Sequence, residues 1–243
     1  IFGQPYNSNP ESLGVPLKLN SGIEDGYLDR KSVKEVYAQI LSDLHTAEEA
    51  YLSLPESEQW DDDYRTSLPM VQLILSRTYL YMENWSKAAE YAKKVMDNKN
   101  FRLVDLNEIP YYRNDDEGNE VRNYAVFPTY SSSETIWPYG NIDDMFEWTY
   151  EGMNSINAST NQKMHAYFQA SQDLLDTFDD WDLRKRQYII EAPVEGGLMP
   201  MAYGKIYVGT QYYLPKNATG VFGRCLRLSE AYLNYAEALA NIG

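Results

Sequence analysis

The strongest constraint on the fold comes from residues 67–98, where two helical patterns follow each other almost without a linker. The first lies in SLPMVQLILSRTYLYMENW at 67–85, and a tight turn at Glu83–Asn84 leads to the second, WSKAAEYAKKVMDN at 85–98. The second helix has a narrow, alanine-rich apolar stripe made of Trp85, Ala88, Ala89, Ala92, Val95 and Met96. Because small side chains let helix axes approach, we expect this helix to lie close against a neighbour.

These two helices resemble one tetratricopeptide repeat. Leu75, Ser76, Tyr79 and Ala88 fall at the offsets of that repeat. The match is partial, because Ala92 lies where a larger aromatic is usual and no closing proline is present.

The stretch RLSEAYLNYAEALANIG at 227–243 matches the first helix of another repeat. Its matching positions are Tyr232, Tyr235, Ala236, Leu239 and a turn glycine, Gly243. A repeat helix does not bury its face alone, so we expect a second helix after Gly243 in a longer protein.

A further helix is predicted within 30–55. Ser32 and Glu35 have the spacing of a capping box, apolar residues keep a helical period over five turns, and Pro55 ends the pattern. Residues 1–29 before it are turn-rich and extended.

Residues 101–224 have a different character and read mostly as ordered loop, with strand signals at 134–138 and 203–208 and a short helix at 171–178. Long ordered loops are usually functional. The predicted organisation is an extended region (1–29), tetratricopeptide-like helices (30–100), a loop-rich ligand-binding region (101–224) and the first helix of a further repeat (225–243). The predicted fold class is mainly α, with a long insertion containing short strands.

The composition excludes several classes of function. The net charge of −15 disfavours nucleic acid as a partner. The single cysteine, Cys225, allows no internal disulfide, and we expect it to be a buried structural thiol. We find no signal peptide, lipobox or transmembrane stretch. Because the chain begins with Ile1, we interpret it as a fragment, in which missing targeting signals are uninformative.

Catalytic and metal-binding patterns are scarce. Asp179, Asp180 and Asp182 could supply a glycosidase carboxylate pair, but FDDWDLR also reads as a turn that Asp182 and Arg184 hold together. NDDEGNE at 114–120 resembles a calcium loop in which Arg113 occupies the first ligand position. His45 is expected at the surface. We therefore predict neither catalytic residues nor a metal or cofactor.

The insertion is notable for aromatic rings interleaved with amides. They are Trp137, Tyr139, Asn141, Trp148, Tyr150, Asn154, Asn157, Asn161 and Gln162. Rings stack on the apolar faces of pyranoses, while amides and carboxylates hydrogen-bond sugar hydroxyls. The alternative is that these aromatics cover the small core of the loop itself.

Six stretches together resemble the SusD/RagB family of outer-membrane nutrient-binding lipoproteins of Bacteroidetes. In the order of that family they are LGVPLKL (13–19), DRKSVKEVYAQILSDLHTAEEAYLSLP (29–55), SRTYLYMENWSKAAEYAKKVMDN (76–98), SSETIWPY (132–139), SQDLLDTFDDWDLRKRQYI (171–189) and RLSEAYLNYAEALANIG (227–243). Members are longer and carry a lipoprotein cysteine, so the resemblance implies an internal or trimmed portion.

The resemblance implies a receptor without catalytic activity. Helical repeats would pack on a TonB-dependent, SusC-like transporter, and loops would capture oligosaccharide, or peptide in some members, at the cell surface. Family binding aromatics often follow the strand that ETIWPY resembles, which favours Trp148 and Tyr150 as ligand contacts. Further candidates are Tyr139, Asn154 and Asn157, and in second rank Trp60 and Tyr64. A glycoside hydrolase and a purely structural repeat protein are the less favoured alternatives.

Overall fold

The computed structural model describes residues 3–23, 26–60, 65–114, 118, 120–122, 132–139, 171–194, 197–202 and 224–243. The chain divides into two compact units. The first comprises Ile1–Arg102 with Leu226–Gly243, and the second comprises Leu103–Cys225. Among the described residues, six helices and a few short strands form the secondary structure, so the predicted mainly helical fold is confirmed.

The first unit begins with a short hairpin that leads directly into a helix. Strand β1 (Leu13–Pro16) pairs antiparallel with β2 (Arg30–Ser32), and helix α1 (Val33–Leu52) follows at once. Arg30 donates from Nε to the carbonyl of Gly14 at 2.6 Å. A Cβ on Gly14 would lie 3.3 Å from the carbonyl oxygen of Lys31, so the close approach of the two strands favours glycine here.

The start of α1 confirms the predicted capping box. The Ser32 hydroxyl accepts from the backbone N–H of Glu35, and the Glu35 carboxylate accepts from the backbone N–H of Ser32 at 2.8 Å. The backbone N–H and then the hydroxyl of Ser32, which both donate to the Glu35 carboxylate, lower the pKa of Glu35. The helix ends at Leu52, and a 3-10 turn at Glu56–Glu58 follows Pro55.

Helices α2 (Leu68–Tyr81) and α3 (Trp85–Met96) form the predicted hairpin. Glu83 adopts a left-handed backbone with φ of 55°, and the Asn84 side chain accepts from the backbone N–H of Lys87 at 3.3 Å, which begins α3. Helix α2 packs against α1 and α3 and also against the terminal helix, α6 (Leu228–Ile242). Leu73 and Leu75 are therefore fully buried.

Alanines bring α3 and α6 close together. Ala88 and Ala92 of α3 and Ala231 and Ala238 of α6 are fully buried, which confirms the predicted close approach of α3 to a neighbour. Polar contacts link both helices to α2. The Ser76 hydroxyl of α2 donates to the backbone carbonyl of Ala88 in α3 at 3.0 Å.

The Ser76 hydroxyl of α2 also accepts from the Asn234 side chain of α6 at 3.3 Å. A second link is an ion pair, in which the Arg77 guanidinium donates twice to the Glu230 carboxylate, at 2.6 Å each. These contacts fix α6 against the helical hairpin.

Helix α6 buries one face against its neighbours, and most of the residues at the repeat offsets lie outside that face. Tyr232 and Leu239, which match repeat positions, are 41% and 45% exposed, and Ala236 is exposed as well. The buried positions of the helix are instead Leu228, Ala231, Asn234 and Ala238. The physical reason is that α2 and α3 approach the face of α6 where small residues leave room.

The second unit consists of short strands and two short helices. Strand β3 (Tyr112–Asn114) pairs antiparallel with β4 (Glu120–Arg122), and β6 (Ile189–Val194) pairs antiparallel with β7 (Gly197–Ala202). Strand β5 (Thr135–Tyr139) pairs with β8 (Arg224–Arg227), whose first two residues belong to this unit. Helices α4 (Gln172–Asp176) and α5 (Leu183–Tyr188) lie in sequence between β5 and β6.

Two of the three elements predicted for the insertion are confirmed. The strand signal at 134–138 corresponds to β5, and the short helix at 171–178 to α4. The signal at 203–208 lies outside the described residues. The β6–β7 hairpin was not predicted, because Pro193 and Pro200 interrupt its strand pattern. No helix among the described residues has the length and apolar character needed to cross a membrane.

Candidate ligand-binding surface

Strand β5 carries two of the aromatic residues noted in the sequence. Trp137 and Tyr139 are two positions apart and therefore project from the same face of the strand. Their rings stack with centroids 4.8 Å apart and an angle of 14° between the planes. Both residues are half-buried, so together they form a flat aromatic surface, part of which solvent reaches.

The start of β5 is fixed by a buried carboxylate. Glu134 accepts at Oε1 from the backbone N–H of Val104 at 2.9 Å, and its own backbone N–H donates to the Ser132 hydroxyl at 3.4 Å. Glu134, Thr135, Ile136 and Pro138 are buried. The aromatic pair thus stands on a strand whose other positions are packed, which restrains the orientation of its rings.

The structure describes two of the seven residues predicted to bind ligand. Tyr139 is in the β5 pair, and Trp60 lies before α2 in the first unit. The remaining five, Trp148, Tyr150, Asn154, Asn157 and Tyr64, lie outside the described residues. Their role in binding therefore stays a prediction from the sequence.

Trp60 has a structural role in packing. Its ring lies edge-on to that of Phe101, with centroids 5.2 Å apart and an interplanar angle of 81°. Phe101 is buried, whereas Trp60 is half-buried. The preceding residue, Gln59, accepts from the backbone N–H of Leu68 and so holds this stretch to the start of α2. Trp60 therefore helps to cover the helical core while leaving part of its surface to solvent.

Sequence reasoning overlooked Trp181 as a surface feature. It lies between α4 and α5, and its side chain is 92% exposed. The turn around it is well defined, because the backbone N–H of Asp182 donates to the carbonyl of Asp179 at 3.0 Å. The sequence does indicate this exposure, because three aspartates lie close to the tryptophan in FDDWDLR and charged residues favour a solvent-exposed turn.

The contact between Asp182 and Arg184 confirms that these residues hold the turn together. The Arg184 guanidinium donates to both carboxylate oxygens, at 3.0 Å and 2.6 Å, and the backbone N–H of Arg184 adds a bond at 2.9 Å. These bonds lower the pKa of Asp182, and the hydrogen bonds from the Arg184 side chain have the largest effect. A glycosidase general acid needs a raised pKa, so this environment opposes that role for Asp182.

A buried polar cluster in the first unit was also overlooked. Glu48 of α1 is only 7% exposed and accepts from the Tyr91 hydroxyl at 2.9 Å. Lys94 and the Gln72 amide lie 3.4 and 3.5 Å from Oε1 of Glu48. Burial first, and then the bond to Glu48, raise the pKa of Tyr91. The signal was the position of Glu48 on the apolar face of the α1 pattern.

His45, predicted to be a surface residue, is partly exposed but also makes contacts with its neighbours. Its Nε2 lies 2.9 Å from the Tyr79 hydroxyl and its Nδ1 lies 3.5 Å from the Glu48 carboxylate, and the residue is half-buried. The cause is that α1 packs on α2 along this face. Cys225, expected to be buried, is half-buried. Among the described residues, no group of His, Cys, Asp or Glu side chains has a metal-binding arrangement.

Comparison with known proteins relates this chain to a group of solved structures. A SusD-like carbohydrate-binding protein from Bacteroides vulgatus matches 99% of the chain, with 22% identity and a TM-score of 0.66. A SusD superfamily protein from Bacteroides thetaiotaomicron matches all of it, with 22% identity and a TM-score of 0.67. A surface glycan-binding protein A from Bacteroides uniformis matches 94% of it, with 16% identity and a TM-score of 0.58.

The chain spans about half the length of these structures, 47%, 50% and 50% respectively. No protein-family model and no curated protein sequence matches it. The chain has the fold of the SusD superfamily, which confirms at the level of the fold the resemblance seen in the sequence.

Proposed function

We propose that this chain, which has the SusD fold, binds oligosaccharide at the bacterial cell surface without chemically changing it. The main structural support for this proposal is the stacked pair of Trp137 and Tyr139 on β5, immediately before the segment rich in aromatics and amides. The names of the matched structures, which include carbohydrate-binding and surface glycan-binding proteins, support the same ligand class.

The proposed binding chemistry combines stacking with hydrogen bonds. A pyranose has apolar faces that pack on flat rings such as the β5 pair, and equatorial hydroxyls that hydrogen-bond amides. Trp148 and Tyr150 would extend the aromatic surface beyond β5, and Asn154 and Asn157 would bind hydroxyls. None of these interactions needs a group of perturbed pKa, which fits a chain that binds and releases its ligand.

The proposed partner is a TonB-dependent, SusC-like outer-membrane transporter. In this proposal the helical unit, with α1, α2, α3 and α6, is the scaffold that packs on the transporter, and the insertion carries the ligand surface. The protein would stay at the outer membrane through a lipid anchor. The Bacteroides origin of the matched proteins supports this setting.

The proposal is tested by titrating the protein with plant, host and microbial glycans and with a peptide digest, followed by tryptophan fluorescence. One glycan class is expected to quench the emission. Trp148→Ala and Tyr139→Ala should each weaken binding about two- to tenfold, the range for loss of one stacking contact. Trp85→Phe is the matched control, because it removes a half-buried tryptophan at the start of α3, in the helical unit.

The outcomes separate the proposed function from its alternatives. Binding of peptides alone would favour a peptide receptor, for which the acidic residues of 114–120 could attract basic side chains. Release of reducing sugar from a bound glycan would establish a glycoside hydrolase and refute the proposal. Equal weakening by Trp85→Phe and Trp148→Ala would show that the fluorescence change does not report on this surface.

A further inference from the structure

The turn between α4 and α5 presents an indole that no packing role explains. The side chain of Trp181 is 92% exposed, although indole is among the most favourable groups to bury. The chain has four other tryptophans. Those that the structure describes, Trp60, Trp85 and Trp137, are half-buried. Trp181 thus exposes more indole surface than any other described tryptophan.

The turn holds the indole in a defined place. Asp182 is joined to Asp179 by a backbone hydrogen bond, and its carboxylate is bound by the Arg184 guanidinium. The same guanidinium lies 5.6 Å from the centre of the Phe178 ring, which contributes a second contact across the turn. A restrained aromatic surface loses little conformational entropy when a ligand stacks on it.

The charges around Trp181 restrict what can stack there. Asp179 and Asp180 are exposed, and the side chain of Asp180 is 97% exposed. The charge of Asp182 is balanced by Arg184, while Lys185 is 3.9 Å from Asp180. The exposed side of the turn therefore carries two carboxylates against one ammonium, in a chain with a net charge of −15. Such a site repels anionic ligands and accepts neutral or cationic ones.

We propose that Trp181 is a second glycan-contacting site, which stacks on a pyranose that is uncharged or carries an amino group. Asp179 and Asp180 accept hydrogen bonds from the hydroxyl or ammonium groups of the sugar and exclude uronates and sulfated sugars. This inference rests on the proposed function, because it assumes a glycan ligand. It adds a contact outside the aromatic and amide segment and assigns a charge class to the ligand.

The test is oxidative footprinting of the whole chain, with the modification of Trp181 measured by mass spectrometry. The probes are a glucosamine hexamer, its N-acetylated form, hexagalacturonate, the carboxyl-reduced form of hexagalacturonate, and each glycan that quenches fluorescence in the titration above. Uncharged or amino glycans that bind are expected to slow the oxidation of Trp181 at least about twofold. Hexagalacturonate should leave it unchanged, and the oxidation of Trp85 is the internal reference.

Substitutions at Trp181 and Asp180 test the second site by affinity, without footprinting. Trp181→Ala should weaken binding about two- to tenfold, and Trp181→Phe should restore part of it, because phenylalanine keeps an aromatic face. Asp180→Asn should improve the binding of hexagalacturonate relative to its carboxyl-reduced form. Thermal unfolding of each variant should match that of the original chain, because both side chains are exposed.

Each outcome bears on the proposal. A bound glycan that leaves the oxidation of Trp181 unchanged, with unaltered affinity in Trp181→Ala, would refute the second site while the proposed function stands through Trp148→Ala. Equal protection of Trp181 by hexagalacturonate and its carboxyl-reduced form would refute the charge class. If no glycan binds, the proposed function and this inference both fail.

Discussion

Removing the buried carboxylate of Glu48 is expected to destabilise the helical unit strongly. Glu48 joins three helices, because it belongs to α1, accepts from Tyr91 of α3 and lies next to Gln72 of α2. In Glu48→Ala the buried Tyr91 hydroxyl loses its acceptor, which costs about 1–3 kcal/mol, and the packing of the side-chain methylenes is lost as well. The expected loss in free energy of unfolding is about 3–5 kcal/mol, as for breaking a buried charged contact.

The measurement is urea unfolding followed by circular dichroism, with Glu49→Ala as the matched control. Glu49 is the next residue of the same helix and is exposed, so this substitution changes the same charge and helix propensity without touching the cluster. Glu48→Gln should cost less than Glu48→Ala, because the amide oxygen still accepts from Tyr91. A loss below about 1 kcal/mol in Glu48→Ala, or one equal to that of Glu49→Ala, would refute this reasoning.

Three further predictions concern the same unit. Because burial raises the pKa of Tyr91, the folded state keeps the phenolic proton to a higher pH than the unfolded state does. The contribution of Tyr91 to stability should therefore be complete below about pH 10 and fall above it by up to about 1.4 kcal/mol per pH unit. Tyr91→Phe should make this fall shallower in urea titrations at about pH 9 to 11. Ala88→Leu should cost about 1–3 kcal/mol by overpacking a fully buried position of α3. Ser86→Ala, at an exposed position of the same helix, should change stability by less than about 0.5 kcal/mol in the same assay. A double-mutant cycle of Arg77→Met and Glu230→Gln should give a coupling of about 1 kcal/mol, lowered by salt because the pair is half-exposed, and no coupling would contradict a stabilising pair.

Local signals predicted the helical unit well because they act over short distances. The capping box of Ser32 and Glu35, the turn at Glu83–Asn84 and the alanine stripe of α3 each depend on residues within a few positions of one another. The structure has all three. Burial of Leu75, Ser76, Tyr79 and Ala88 agrees with the repeat offsets, which are also read within one hairpin.

Features that depend on distant residues were predicted less well. The role of Glu48 needs Tyr91, which is 43 positions away, and His45 becomes half-buried because Tyr79 of α2 reaches it. On α6, the repeat offsets did not indicate which face is buried, and packing against α2 and α3 buries the face with Ala231 and Ala238. In the insertion, the prolines of β6 and β7 hid a hairpin that pairing across the turn creates.

In the candidate ligand-binding surface, too, features set by neighbouring residues were predicted and features set by distant residues were not. From the sequence came the aromatic composition of the insertion, the strand at β5 and the turn that Asp182 and Arg184 hold together, since each depends on neighbouring residues. Only the tertiary structure showed that Trp137 and Tyr139 stack, that Trp60 packs on Phe101, and that Trp181 remains exposed. The physical reason is that periodicity and caps act along the chain, whereas the burial of a ring depends on which distant elements reach it.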